Sequence, residues 1–359
     1  MKATYRLFYY ISIVLTGVLA VLTLLGALAA QTIPTESRLI PLMGLILPVL
    51  LLSNLTVAIY WAIRWRCWVF IPLVAILCNW GYLTRVLKFP LSAPDSTTAV
   101  QSGTLTVVTY NTDSFNKDQN GYTCKEVAEF MKRQNADIIC FQEFGINTYF
   151  TEDSVRAVFS DWKYCYIPKD STPILQIAVF SKYPIKEQQL ITFPDSRNCS
   201  LWCDIDINGR PLRLFNSHLQ TTEVTSNKGR LLRKLAKDDV DGAEQVAFQL
   251  SEGLYDNFKK RALQAEHLSK LINASPYPTL VCGDFNSIPS SYTYQTMKGN
   301  KLKDGFQICG YGYMYTFHYF KRLLRIDYIL HTPDIEGIDY FSPDLHYSDH
   351  NPVVMRIKL

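Results

Sequence analysis

The chain has 359 residues, 48% of them apolar, and a formal charge of +4, enough for a large domain with an appendage. Residues 1–90 carry seven of the 36 basic and one of the 32 acidic residues. The remainder therefore holds 29 basic against 31 acidic residues, formally −2, which excludes a strongly basic domain that grips nucleic acid by counterion release.

No charged residue occurs between Arg6 and Glu36. Leu7–Ala30 is long enough to cross a bilayer core, which takes about 20 helical residues. Leu39–Ile63 and Cys67–Thr84 are two further uncharged runs, bracketed by Arg38, Arg64, Arg66 and Arg85. The pattern predicts a transmembrane region over 1–88 with three helices, about 7–30, 39–63 and 67–87; buried core helices are the plainer alternative. Pro41, Pro48 and Pro72 are compatible with membrane helices, which tolerate such breaks. Lys2, Arg6 and the small residues Ala27–Ala29 also fit a signal peptide, but the apolar run is long for one. Lys2, Arg6, Arg64 and Arg66 lie on one side of the expected membrane, and Arg38, Arg85 and Lys88 on the other. That bias predicts a multi-pass protein with a cytoplasmic N terminus and an extracytoplasmic C-terminal domain.

Residues 89–103, rich in Pro, Ser and Thr, read as a linker to a domain over 104–359. There, strand-like runs alternate with helical ones: Thr104–Tyr110, a helix near Thr123–Gln134, Asp137–Gln142, Gln176–Ser181, Leu201–Ile207, Pro211–Leu219, Thr279–Asp284, Arg325–Leu330 and Asn351–Ile357. Many strands with few helices predict an α/β sandwich of two packed sheets. Thr222–Phe258 is a long connection of the kind that forms functional loops. Its stretch Arg230–Lys237 reads either as a solvated helix or as a basic amphipathic lid that meets lipid headgroups or anionic substrate. Lys260–Ile272 reads as a core-packing helix. Cys199 and Cys203, on one extended strand, stand about 13 Å apart, too far for a disulfide.

Polar residues recur where the apolar runs end: Asn111, Glu143, His218, Asp284, Asn286, Asp327 and the adjacent pair Asp349–His350. Sheet proteins gather their sites at strand ends, where a rigid scaffold presents side chains into a crevice. Carboxylates and an amide are oxygen ligands that suit Mg²⁺, or Mn²⁺, rather than zinc, and neither HExxH nor a Cys/His cluster is present. Acids and two imidazoles around such an ion fit phosphoester hydrolysis. His267, His318, His331 and His346 lack this context, although His318 is a candidate to line the cleft.

The motifs Tyr110–Asn111, Gln142–Glu143, Ser217–Leu219, Gly283–Asn286, Arg325–Ile329 and Ser348–His350 occur in the order seen in the endonuclease/exonuclease/phosphatase superfamily, and Ala178–Ile185 also resembles that family's middle strand and turn. The resemblance covers residues 103–359. It implies the DNase I-like fold, a four-layered α/β sandwich with two packed mixed sheets. By position it implies Asn111, Glu143 and Asp349 at the metal, with Glu143 as principal ligand. It assigns Asp284 and Asn286 to the attacking water and His218 and His350 to the phosphate. Asp327 would fix the His350 tautomer. Gln176 departs from the glycine the family often has before this strand.

The reading is thus a membrane-anchored, Mg²⁺-dependent hydrolase of phosphodiesters or phosphomonoesters, lipid headgroups included. The alternatives are a membrane-tethered nuclease acting on DNA or RNA and a non-catalytic membrane protein that binds phosphate compounds. Transport is disfavoured, because the apolar runs contain no internal charge to line a path.

Overall fold

The computed structural model describes residues 2–91, 103–116, 123–145, 150–170, 174–222 and 240–359. The basic stretch Arg230–Lys237 and most of the expected linker lie outside them.

The apolar N-terminal part forms helices α1 (Lys2–Leu28), α2 (Leu39–Leu45), α3 (Leu47–Ile63), α4 (Phe70–Cys78) and the single turn α5 (Trp80–Leu83). Three uninterrupted spans do not form. Among the described residues one helix is long and apolar enough to cross a membrane, Thr4–Leu28; α2 and α3 qualify only as a pair, bent by 69°. Pro48 causes the break. It sits in the first turn of α3, where its missing N–H costs nothing, and continuing α2 through it would set its ring against the Gly44 carbonyl. The third run starts as a 3-10 turn at Cys67–Val69, because Pro72 fits only near a helix start, and it breaks again at Asn79.

The helices pack as a bundle whose polarity is inverted. Buried between them, Asn54 donates to Thr23 Oγ1 (2.7 Å), Trp61 Nε1 to Thr16 Oγ1 (2.9 Å) and Asn79 to the Thr23 carbonyl (3.3 Å). Outside, Leu7, Phe8, Val14, Leu15, Val21, Leu52, Leu55, Phe70 and Leu77 are exposed.

In chain order the strands are β1 (Leu87–Lys88), β2 (Leu105–Asn111), β3 (Ile138–Gln142), β4 (Tyr164–Tyr166), β5 (Ile177–Ser181), β6 (Ile185–Thr192), β7 (Cys199–Ile207), β8 (Arg210–His218), β9 (Thr279–Asp284), β10 (Lys303–Asp304), β11 (Gly312–Tyr313), β12 (Asp327–His331), β13 (Glu336–Phe341) and β14 (Val353–Lys358). Two six-stranded sheets result, β13-β14-β2-β3-β5-β4 and β10-β12-β9-β8-β7-β6. Each is mixed, with one parallel pair, β2–β3 in the first and β8–β9 in the second. The central strands are buried on both faces and read as continuous apolar runs. Val107, Cys140, Val179, Cys203, Leu214 and Cys282 fill the space between the sheets. Helices α6 (Cys124–Arg133) and α7 (Glu152–Val158) cover the outer face of one sheet. Helices α8 (Val240–Asn273) and α9 (Tyr292–Lys298) cover the other. The expected helix Lys260–Ile272 is the C-terminal part of α8, which begins twenty residues earlier.

The bundle is docked on the sandwich. Leu47, Leu51, Tyr82 and Val86 pack with Ile288, Leu324 and Ile326. Ser290 Oγ donates to the Gly44 carbonyl (3.0 Å) and Arg85 to that of Pro289 (2.9 Å). Lys88 Nζ reaches the Gln307 carbonyl (2.8 Å), and β1 pairs with β11.

Candidate active site

Strand register assembles the site. In the parallel pair β2–β3, Asn111 lies opposite Gln142, so Glu143, the next residue, emerges beside Asn111. In the other sheet His218 lies opposite Asp284, and Asp284 opposite Asp327, which sets three site residues in one row across β8, β9 and β12. Close approach of β8 and β9 requires Gly283, at φ 130°, where a Cβ would fall 1.9 Å from the Ser217 carbonyl oxygen. Asp349 and His350 sit in the loop before β14, which begins only at Val353.

The side chains converge. Asn111 Nδ2 donates to Glu143 Oε1 (3.2 Å) and Asp284 Oδ2 (3.1 Å). His218 Nε2 lies 3.6 Å from Glu143 and 3.8 Å from Asp284. His350 Nδ1 meets Asp327 Oδ2 at 2.9 Å, and its Nε2 is 3.7 Å from Asp284 and 3.9 Å from Asp349. Asp284 Oδ1 accepts from the Asn286 N–H (2.7 Å), and Asn286 Nδ2 donates to the Leu219 carbonyl (2.9 Å). All eight expected residues therefore form one cluster. Glu143, Asp284, Asn286, Asp349 and His350 line a cavity of about 420 Å³, and Asn111, His218 and Asp327 stand behind that surface, touching it.

The electrostatics follow from burial and crowding. Burial raises the Asp284 carboxyl to about 6, helped by the Asp327 charge and opposed by His350 and His218. Burial alone would lower His350, but the carboxylates of Asp327 and Asp284 outweigh it and hold the imidazole well above its ordinary value. Both ring nitrogens of buried His218 lack a hydrogen-bond partner among the described residues, as does Asp327 Oδ1. Buried polar groups left unpaired point to a ligand that completes them. Ligand-type atoms of Asp284, Asp327 and His350 lie within 4.8 Å of one another, a group that differs from the expected set Asn111, Glu143 and Asp349.

Four supporting residues carry no role in the sequence reading. Gln142 Nε2 donates to Asn216 Oδ1 (2.6 Å), and Asn216 donates to the Phe141 and Ala178 carbonyls (both 3.0 Å), which staples the two sheets beneath the site. Ser348 Oγ donates to the Asn111 carbonyl (2.7 Å) and accepts from the His350 N–H (3.1 Å). Thr316 Oγ1 accepts from the N–H groups of Ile326 (3.0 Å) and Asp327 (3.1 Å). Gln142 and Ser348 lie inside the motifs and Asn216 just before one, each within two residues of a residue with an assigned role; nothing in the sequence marks Thr316. His318 does not line the cavity. It pairs with Asn351 (2.7 Å), and its neighbour Phe317 lines the cavity instead, 4.9 Å from the His350 ring.

Known proteins share this architecture. The humanized TDP2 of D. rerio, carrying 14 mutations, superposes with a TM-score of 0.53 at 15% identity over 72% of this chain and all of that one. An endonuclease/exonuclease/phosphatase from Beutenbergia cavernae gives 0.52 at 14% identity over 71% of this chain and 72% of that one. The human Nocturnin catalytic domain gives 0.50 at 14% identity over 71% and 94%. These likenesses show the fold. No curated protein matches the sequence. Residues 6–86 match a domain of unknown function, DUF8431. Residues 108–350 match the Endonuclease/Exonuclease/phosphatase family, and with most of its length inside that match the chain belongs to this family.

Proposed function

We propose that this family phosphoesterase is a metal-dependent hydrolase whose helical bundle is embedded in a bilayer. The observation that carries the hydrolase reading is the convergence of four carboxylates and two imidazoles around one cavity, with the Asp327–His350 pair at 2.9 Å. Asn111, Glu143 and Asp349 would hold Mg²⁺ or Mn²⁺. The donor set fits: Glu143 and Asp349 offer carboxylate oxygens with side chains 25% and 34% exposed, leaving room for the waters Mg²⁺ retains, and Asn111, whose Nδ2 donates to Glu143 here, offers its amide oxygen once the amide turns over. The group of Asp284, Asp327 and His350 fits less well, since its His350 Nδ1 is already engaged by Asp327 and its members are buried. When bound, the ion supplies positive charge to the phosphate oxygens.

The chain's own groups do the rest. Asp284, with Asn286 beside it, orients a water and takes its proton as the water oxygen attacks phosphorus; a carboxyl near 6 suits a base at neutral pH. The ester P–O bond breaks, and the leaving oxygen takes up a proton. His350 Nε2 faces the phosphate and stabilises the charge that develops on it, and His218 acts on it from behind Glu143 and Asp284. Asp327 holds the His350 tautomer. Purified protein should hydrolyse a chromogenic phosphoester with Mg²⁺ or Mn²⁺, and lose that activity with EDTA. Full activity in excess chelator would sink the reading.

The inverted bundle supports membrane embedding. Only 22% of the apolar window in Thr4–Leu28 is buried, unlike the core helix of a soluble protein. From Tyr5 to Gly26 α1 rises about 30 Å, the thickness of a hydrocarbon core. At the outer end Arg64 donates to Tyr5 OH (3.0 Å) and Trp68 Nε1 to Tyr9 OH (3.0 Å), an aromatic and basic girdle of the kind found at membrane interfaces. Helices α3 and α4 pack beside α1, and this reading takes the bent α2–α3 pair and the broken run Cys67–Leu83 as the second and third crossings. The orientation stays with the sequence: N terminus in the cytoplasm, catalytic domain outside. Alkaline phosphatase fused after Leu359 should be active. An inactive phosphatase there, with a fluorescent reporter lit in the cytoplasm, reverses the orientation.

A further inference from the structure

The cavity has two chemically different walls. One is the row of acids and imidazoles. The other is apolar and comprises Ile288, Phe317, Phe320, Leu324, Ile326 and, from the helical bundle, Leu45. Leu45 is the last residue of α2, at the 69° break before α3. Ile288, Leu324 and Ile326 also pack with Leu47 and Leu51 of α3, so this wall runs without interruption into the bundle. The loop that carries Asn286 is fixed to the same helices, through Ser290 to Gly44 and Arg85 to Pro289.

Charge narrows what the apolar wall receives. No lysine or arginine lines the cavity among the described residues. A polynucleotide presents a phosphate at every residue, and proteins that track one do so with a basic groove. A single phosphoester on an apolar body needs no such groove. Its phosphate meets the polar row, and its body needs a surface that water is glad to leave.

We propose that the wall formed by Leu45, Ile288, Phe320, Leu324 and Ile326 receives the hydrocarbon chain of an amphiphilic phosphoester, a lipid, and that Leu45 makes the helical bundle part of the substrate site. This rests on the phosphoesterase reading above. It goes beyond anchoring, because it gives the bundle a contact with the substrate itself. The α2–α3 break puts the end of α2 over the cavity, at the end of the bundle that meets the sandwich. A chain leaving the cavity past Leu45 continues along an apolar helix face. Phe320, 45% exposed, stands at the same rim.

The test uses the full chain in nanodiscs with Mg²⁺ or Mn²⁺ and two homologous series, alkyl p-nitrophenyl phosphodiesters and alkyl phosphate monoesters, methyl to octyl, each below its critical micelle concentration. In the series the enzyme accepts, kcat/KM should rise roughly a hundredfold from methyl to octyl, since each fully buried methylene is worth about fourfold and about half of the added methylenes would be buried against this wall. Leu45→Ser and Phe320→Ser should each cut the octyl-to-methyl ratio by about fivefold or more, while Leu45→Met should keep it. A wild-type ratio near one, or a ratio untouched by Leu45→Ser, overturns the inference while methyl ester turnover leaves the phosphoesterase reading standing. So does a single-stranded oligonucleotide cut faster than the octyl ester, which would make Phe317 and Phe320 a base-stacking surface. No turnover of any ester in either series brings down both readings.

Discussion

Glu143 and Asn286 hold left-handed backbone conformations, φ 47° and 48°, at the two strand ends that face each other across the cavity. Asparagine tolerates this region through local hydrogen bonds, but a glutamate there costs on the order of 1 kcal/mol or more. Such strain persists where the surroundings enforce it, and here the Thr112 Oγ1 bond to the Glu143 carbonyl (2.9 Å) helps to do so. Glu143→Gln keeps the shape and removes the charge. It should fold normally by circular dichroism, weaken Mg²⁺ binding, and lower kcat/KM by about 10²–10³-fold. Asp327 acts on protons instead. The folded His350 binds its proton more tightly than the unfolded chain does, so its contribution to stability is complete below about 6.5 and is lost as pH rises through the raised folded value. Asp284 has the same sense at lower pH, its contribution fading between 3.8 and about 6. Metal-free protein should therefore lose thermal stability as pH climbs above about 6.5 through the raised His350 value. In Asp327→Asn the decline should move down toward 6.5, and melting curves across that range check it. An unmoved decline would detach His350 from Asp327.

Strand pairing carries the site, so the next test lies between β8 and β9. Gly283→Ala would drive a methyl group into the Ser217 carbonyl at 1.9 Å, and the backbone must separate. A loss of about 3 kcal/mol in denaturant unfolding is expected, as for strain at a special conformation, and residual activity should fall further because His218 and Asp284 share that register. This element-level logic was legible before the fold was known. Asn111, Glu143, His218 and Asp284 end apolar runs, and strand ends are where a sheet gathers side chains. The strands Ile185–Thr192 and Glu336–Phe341 were harder to read, since both lie on sheet edges with exposed or half-exposed residues and no sustained apolar run. The interruption at Ile46 was hidden for a different reason. Pro48 is tolerated inside membrane helices, so the proline alone does not announce a helix end, and packing of Gly44 against Ala29 and Ser290 holds the break it makes. Leu45 in the cavity has no sequence signature, because it depends on contacts more than 200 residues apart, such as Arg85 with Pro289.

For the whole molecule, docking changes what a truncation does. Removing residues 1–91 takes away Leu47, Leu51, Tyr82 and Val86 and uncovers Ile288, Leu324 and Ile326 beside the cavity. It also strips Arg325 of its bond to the Arg85 carbonyl (2.8 Å), although the buried pair with Asp304 (2.7 Å) remains. The shortened protein should aggregate, or stay soluble only with detergent, and should turn over even a water-soluble ester more slowly than the full chain. Size-exclusion chromatography with a parallel esterase assay measures both; a monodisperse, fully active fragment would show the bundle to be a mere tether. The bonds from Ser290 to Gly44 and from Arg85 to Pro289 fix the catalytic loop to the bundle rather than hanging it on a flexible arm. With the bundle embedded as proposed, an enzyme held in that way would work at one height above one leaflet. Its rate would follow the mole fraction of substrate in its own membrane, not the amount per volume of solution, and diluting the substrate with inert lipid would slow it while adding buffer would not.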